Sequence, residues 1–457
     1  MNHYKEFVLN IQIFNAGYNR DFSNYRALLP TPIKCPFTDS CNGGIESSCT
    51  EGYEGTLCAT CTSNHFLRFN RCLECPSMLV TVISCVLVIV VFIILFLLIF
   101  WGDSNAANGE RGGTVADVVM SCVKIVVGFY QVASGIFSAL RQVQWPVVLV
   151  SMEKYLKFIE GNILQFAPLS CIDPVFRLDP FMQFCLSISI NISVVLLILI
   201  YLLLKRQYIK KLEISDRQKK DEISHLKKSC YRNIFLFLLL SYPITSKKII
   251  NVILPLPGVC EDVCFTKDGS DCISLLKADY SISCLSPANG VYWKLAAACA
   301  IYPLLFPLLL LIPLYKYREP RLDNEICFGL KVFLENYKEK YWFWEIIEMY
   351  RKLILISGIL LFDSTSQIVC AVIVASGSGI AYSMARPIKG KFEDRLQAFG
   401  LWTVFFNVCL GAITICQNPI ENESMFVNII FVLLNSAVVL IAVGKFYLFT
   451  ISNDRFC

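Results

Sequence analysis

Nine long apolar runs divide the chain, and the loops between them alternate in character, cysteine-clustered on one side and lysine-rich on the other. A bilayer core takes about 20 apolar residues per helix, and the sequence supplies that length repeatedly. The runs read as Met78–Trp101, Val115–Ala139, Phe181–Leu204, Asn233–Leu256, Val291–Tyr315, Phe343–Phe362, Gln367–Ala385, Gln397–Cys416 and Phe426–Phe449. Strands of a transmembrane barrel would be half as long and would alternate apolar with polar residues, which these runs do not. With 55% of residues hydrophobic and 17% charged, the expected class is an all-α polytopic membrane protein. Its nine-helix transmembrane domain would cover 78–450.

Charge sets the orientation. Lys205–Arg232 holds ten Lys/Arg, Lys316–Lys340 six and Arg386–Arg395 four, whereas Pro257–Gly290 holds two and Gln417–Met425 none. Positive loops stay in the cytoplasm. Nine crossings then put the N-terminus outside and the tail at 451–457 inside. The sequon Asn422-Glu423-Ser424 falls on the outer side, which makes Asn422 a glycosylation candidate. The net charge of +5 is explained by these juxtamembrane loops, so no nucleic-acid partner is implied. Lys205–Lys228 either reflects positive-inside bias alone or also attracts anionic inner-leaflet lipid. The expected location is multi-pass in the plasma membrane, with Golgi or vacuole also fitting, and assembly of several copies is left open. Met1–Asp21 lacks the sustained apolar core of a signal peptide, so either the first run acts as an N-out anchor or, the preferred reading, residues 1–34 belong to a truncated ectodomain.

The 22 cysteines are clustered. Cys35, Cys41, Cys49, Cys58, Cys61, Cys72 and Cys75 fall in a small module at 35–77, Cys260, Cys264, Cys272 and Cys284 in one outer loop, and Cys171 in another. Dense cysteines in an outer segment too small for its own core are expected to form disulfides. Seven is odd, so one N-terminal cysteine is free or pairs elsewhere, with Cys171 or an outer-loop cysteine as candidate partners. Cys58-x-x-Cys61 and Cys72-x-x-Cys75 also resemble two halves of a zinc site. The ten-residue spacer is short for that pattern, however, and zinc would need a cytoplasmic N-terminus. The Gly-Tyr-x-Gly stretch before Cys58 has the look of an epidermal-growth-factor-like turn, its glycines suiting a tight bend.

Little in the chain points to an enzyme or a cofactor. The three histidines, His3, His65 and His225, lie far apart and outside the runs. No phosphate-binding glycine loop, nucleophile elbow or dinucleotide fingerprint is present. Ionisable residues within apolar runs are more informative, because burying them is costly. In the sixth run Glu345 and Glu348 precede Arg351 and Lys352, and Glu348 lies three and four residues before them, on one helical face. They read either as the charged inner rim of a pathway or as an interfacial anchor, with Trp342, Trp344 and Tyr350 as its aromatic belt. In the second run Asp117 and Lys124, about two turns apart, pose the same choice. Pro243, Pro303 and Pro307 are expected to break helices four and five, as in transporters. Gly377-Ser378-Gly379 reads as close helix packing. Val147–Phe166 reads as a surface or re-entrant helix.

Several of these segments carry a family likeness. Leu276-Lys277-Ala278-Asp279-Tyr280-Ser281-Ile282-Ser283-Cys284, Ile301-Tyr302-Pro303-Leu304-Leu305-Phe306-Pro307 and Tyr341-Trp342-Phe343-Trp344-Glu345 through Arg351-Lys352 stand out. Together with Gln144-Trp145-Pro146 and the cysteine-rich turn, they resemble the C-terminal membrane module of large surface proteins of protists and algae. Those proteins carry ephrin-receptor-like or epidermal-growth-factor-like cysteine repeats outside. More distantly, the module is similar to the transient-receptor-potential-like (TRP-like) membrane proteins of fungi, which have a disulfide-bonded outer domain followed by about nine helices. That resemblance implies a cation channel, calcium included, or a related transporter. The alternative is a non-conducting receptor or adhesion protein whose helices anchor a cysteine-rich ectodomain.

Overall fold

The computed structural model describes residues 6–7, 33–35, 40–42, 48–68, 71–83, 86–87, 90, 115–140, 143, 145, 169–173, 179–253, 256, 259–264, 272–286, 290–318, 325–362, 364–416 and 425–454. Among the sequence readings, Val147–Phe166, Gln144, Pro146 and Asn422 lie outside these residues, as does most of the first run beyond its helical start at 78–83. The chain divides into two compact units.

The first unit gathers three separate segments, Met1–Val91, Asn162–Phe184 and Ile250–Ala298. Its strands form antiparallel pairs: β1 (Glu6–Phe7) with β2 (Ile33–Lys34), β3 (Tyr53–Glu54) with β4 (Thr60–Cys61), and β5 (His65–Arg68) with β6 (Arg71–Glu74). A three-stranded meander follows from β7 (Cys260–Cys264), β8 (Cys272–Leu276) and β9 (Asp279–Ser283). Strands this short do not hold themselves in water; covalent ties do it instead. Cys35–Cys41, Cys49–Cys58, Cys61–Cys72 and Cys260–Cys284 are disulfides, and Cys75 is bonded to Cys171. Cys272, facing Cys264 across the β7–β8 ladder, is disulfide-bonded as well. The cysteines of the two C-x-x-C pairs are thus spread over three disulfides, which rules out the zinc reading.

The sequence reading confined the cysteine module to 35–77. In the structure Val263 and Leu275 of the meander share a core with Cys35, Cys41, Leu57 and Cys58. A module of about 40 residues cannot bury enough apolar surface unaided, and the meander supplies what it lacks. The Gly-Tyr-x-Gly turn needs its glycines: Gly52 and Gly55 have φ of +87° and +79°, and a Cβ on Gly55 would sit 2.6 Å from Thr60 Oγ1.

The second unit takes in Phe92–Gly161, Cys185–Ile249 and Cys299–Cys457 and is helical. The helices of the chain are α1 (Val115–Ala139), α2 (Pro180–Lys211), α3 (Asp216–Ile250), α4 (Gly290–Cys299), α5 (Ile301–Lys316), α6 (Glu325–Leu334), α7 (Trp344–Ile356), α8 (Ser364–Ala385), α9 (Lys391–Cys416) and α10 (Met425–Asp454). Among the described residues, six helices are long and apolar enough to cross a membrane: α1, α2, α3, α4 with α5, α8 and α9. The protein is a multi-pass membrane protein. The sixth run is not one long helix, since α7 stops after 13 residues at Ser357-Gly358 and a 3-10 turn over Gly358–Leu361 follows.

α1 is the hub of this unit. It packs against α7, α9 and α10, and its Val132, Ala133 and Ile136, with Leu140 just past its end, meet Leu355 and Ile356 of α7, Val404 and Val408 of α9, and Phe431 of α10 in one core. Gly135 makes room for Ile356, whose side chain would lie 2.8 Å from an added Cβ. By contrast α2 exposes Leu196, Leu197, Ile200, Leu203 and Leu204, the apolar side chains expected to face lipid. Polar residues also tie the core. Asn407 and Asn435 exchange side-chain hydrogen bonds of 3.0 and 3.1 Å, and Tyr130 donates to the Asn435 carbonyl at 2.8 Å.

Three sequence expectations change here. First, the prolines do not break helices where expected. α3 continues through Pro243 and α5 through Pro307; the interruption is at Ala300, one turn ahead of Pro303, whose ring would clash with the Cys299 carbonyl. Pro307 cannot donate to the Pro303 carbonyl. The hydroxyl of fully buried Tyr242 does so instead, at 2.8 Å. Tyr242→Phe is therefore expected to destabilise the unit by about 0.6–1.7 kcal/mol, the range for interhelical hydrogen bonds in membranes, read as a lower melting temperature in detergent. An unchanged melt would show that this carbonyl needs no partner.

Second, α6 lies in a segment read as an inner loop. Its Cys327, Leu330 and Phe333 recur at helical spacing and are buried, and Gly329 closes on Tyr231 and Phe235 of α3. Third, among the described residues Gly377 has nothing within 4 Å of an added Cβ, whereas Gly379 lies against Trp402.

Candidate functional site

The charged residues of the second and sixth runs converge. One cavity in the helical unit is lined by Ser121, Lys124, Gly128 and Gln131 of α1, Glu345, Glu348 and Lys352 of α7, and Glu393 and Gln397 of α9. Asn336, Tyr337 and Ile388 also border it. Lys124 and Gln131 lie seven residues apart on α1, and Glu345, Glu348 and Lys352 three and four apart on α7, so each helix turns one polar face inward. Gly128 permits the approach, since an added Cβ would stand 2.8 Å from Lys352 Nζ. Asp117 lies in the first turns of α1, ahead of these residues.

Most of the charges have a described partner. Glu348 Oε2 accepts from Arg351 Nη2 at 2.7 Å and Nε at 3.0 Å, and from Gln397 Nε2 at 3.3 Å. Glu348 and Arg351 are 5% and 7% exposed, so this is a buried pair. Lys124 Nζ donates to the Val332 carbonyl at 3.1 Å and pairs with Glu335 at 3.6 Å. Arg232 of α3 meets the same Glu335 at 3.7 Å. Glu345 accepts from Tyr337 Oη at 2.8 Å. Burial, reinforced by the Glu345 and Glu348 carboxylates, pushes the Tyr337 phenol well above its ordinary range, so it stays a donor. Lys352 faces Glu345 and Glu348 without an ion pair among the described residues.

The segment that closes one end of the cavity is pinned by a short antiparallel bridge. Lys338 N donates to the Pro387 carbonyl at 2.8 Å and Lys389 N to that of Asn336 at 2.9 Å, setting Tyr337 opposite Ile388. α8 ends just before, at Arg386, whose φ of +46° and following Pro387 stop the helix. Arg386 pairs with Asp394 at 3.1 Å, and Tyr382 donates to the same carboxylate at 2.9 Å.

Of the residues singled out in the sequence, Lys124, Glu345, Glu348 and Lys352 line one space, with Arg351 held against Glu348. Pro243, Pro303 and Pro307 lie outside that lining. The anchor reading of α7 loses its basis at Trp344, which is buried against Tyr382 rather than exposed as a belt residue. Sequence reasoning missed Glu335, Arg232, Gln131, Glu393 and Gln397. Only Gln131 carried a local signal, seven residues after Lys124 in an apolar run. No family model, curated protein or solved structure matches this chain.

Proposed function

We propose that the protein moves ions across a membrane as a cation channel or a related transporter, and that the cavity between α1, α7 and α9 is the mouth of its pathway. One observation carries this reading. Charged side chains from three helices turn inward around open space in an apolar bundle, instead of reaching out to the interface. A bundle serving only as an anchor gains nothing from that, because each buried ion costs several kcal/mol in desolvation. In this reading the chain crosses nine times, the N-terminal cap faces outward, and the lysine-rich loops and the cavity mouth face the cytoplasm. The second reading, a non-conducting receptor, draws support from the composite disulfide-tied unit, which is larger than a spacer needs to be.

Glu345 is the residue on which to test the pathway, because Glu348 is committed to Arg351. Glu345→Gln keeps the size of the side chain and removes a charge at the rim. It is expected to change cation flux into proteoliposomes severalfold, with monovalent ions and calcium measured separately and with an unchanged yield of folded protein. No flux from the native protein under voltage, tension or calcium steps would favour the receptor.

A further inference from the structure

The polar face of α1 does not end with the cavity. Ser121, Lys124, Gly128, Gln131, Ser134 and Ser138 follow one another at intervals of three and four residues, the spacing of a single helical face. From Ser121 to Ser138 they span about 25 Å at 1.5 Å per residue, most of a hydrocarbon core of about 30 Å. The partners also change along the way. Ser121 Oγ donates to Asn336 Oδ1 at 2.8 Å, and Lys124 meets Glu335. Gln131 Nε2 then donates to the Leu240 carbonyl of α3 at 3.1 Å, and Ser138 Oγ lies 2.7 Å from Lys247 Nζ of α3.

Two details set this face apart from ordinary interhelical bonding. The hydroxyl of Ser134 is completely buried and finds no hydrogen-bond partner among the described residues, in a setting where an unpaired polar group is costly. The Leu240 carbonyl taken by Gln131 adjoins that of Leu239, which Pro243, four residues on, has no N–H to meet. The cavity lining reaches Gln131 and Leu240. Past them the face continues with neutral oxygens only.

Resting on the transport reading above, we infer that the polar face of α1 is the conduit, with Gln131 on the Leu240 carbonyl as its closed gate and a monovalent cation with its water as the species carried. The donor set supports that class. Calcium takes six to eight oxygens, carboxylates among them, and on this face of α1 beyond Gln131 the side chains offered are the hydroxyls of Ser134 and Ser138.

The test is cysteine accessibility in the full-length protein in proteoliposomes, with a cationic, membrane-impermeant thiosulfonate applied under the conditions of the flux assay. Ser121→Cys, Gln131→Cys, Ser134→Cys and Ser138→Cys are compared with Val132→Cys and Ile136→Cys, whose native side chains are 0% and 1% exposed. The unmodified chain sets the background from its own free cysteines. Modification of the four track positions severalfold faster than of the two controls, with loss of sodium or potassium flux and little calcium flux to begin with, is the expected result. If native flux is intact but Ser134→Cys and Ser138→Cys react no faster than Val132→Cys, the α1 face is a sealed contact and the conduit is overturned while transport stands. Calcium flux equal to the monovalent flux overturns the assigned species. Absence of flux from the native protein overturns the transport reading itself, whichever positions react.

Discussion

Glu348→Ala is expected to cost the helical unit about 3–5 kcal/mol, the penalty for leaving one member of a buried ion pair without its partner. Domains have only about 5–15 kcal/mol in hand, so most of the protein should be lost from the monodisperse fraction in detergent. The reason is geometric. Arg351 presents Nη2 and Nε to one carboxylate oxygen at 2.7 and 3.0 Å, both side chains are almost fully enclosed, and Gln397 adds a third donor. Replacing both members, as in Glu348→Leu with Arg351→Leu, removes the two desolvated charges together and is expected to recover most of the loss. Fluorescence-detected size exclusion after a heating series measures all three proteins. If the single variant melts like the native protein, the pair is solvated and α7 is not held as described. Glu345→Ala should be much milder, because Glu345 is only half-buried and gives up one hydrogen bond, to Tyr337.

The second large effect belongs to the disulfide-tied unit. Cys75 and Cys171 are 96 residues apart, whereas Cys61 and Cys72 are separated by 11. In the chain-entropy account a bridge closing about 100 residues contributes about 4.7 kcal/mol, and one closing about 15 residues about 3 kcal/mol. The paired change Cys75→Ser with Cys171→Ser should therefore loosen the unit more than Cys61→Ser with Cys72→Ser. Limited proteolysis of the segments 48–75 and 259–286 would report it. Equal protection in the two variants would mean that the shared core of Leu57, Val263 and Leu275, not the long closure, holds the three segments together.

How much of this was legible beforehand can be followed residue by residue. The odd number of N-terminal cysteines required an outside or unpaired thiol, but parity could not choose between Cys171 and the loop cysteines. The spacing Glu348–Arg351 was readable as a one-helix pair, and so was its neighbour Lys352. That Lys124 faces the same space was not, because nothing local to α1 records the position of α7. α6 was hidden by its setting. Ten residues with a good apolar stripe, flanked by charge, look like a loop until Tyr231 and Phe235 close over Gly329. The prolines misled because a helix can continue past one when another side chain takes up the freed carbonyl, as Tyr242 does for Pro303.

Crossing segments, cysteine chemistry and the sidedness expected from charge are properties of short windows. Transfer of about 20 apolar residues into a bilayer and the attraction of lysines to one face of it are sums over neighbours in the chain, and the order of residues is sufficient for them. The cavity is of another kind. Ser121 finds Asn336 across 215 residues, Lys124 finds Val332 across 208, and Tyr130 finds Asn435 across 305. Such contacts form only when helices distant in the chain lie side by side. Which side chains share the buried space, and which charge answers which, were therefore decided by packing of the bundle, where an unanswered polar group is too costly to keep.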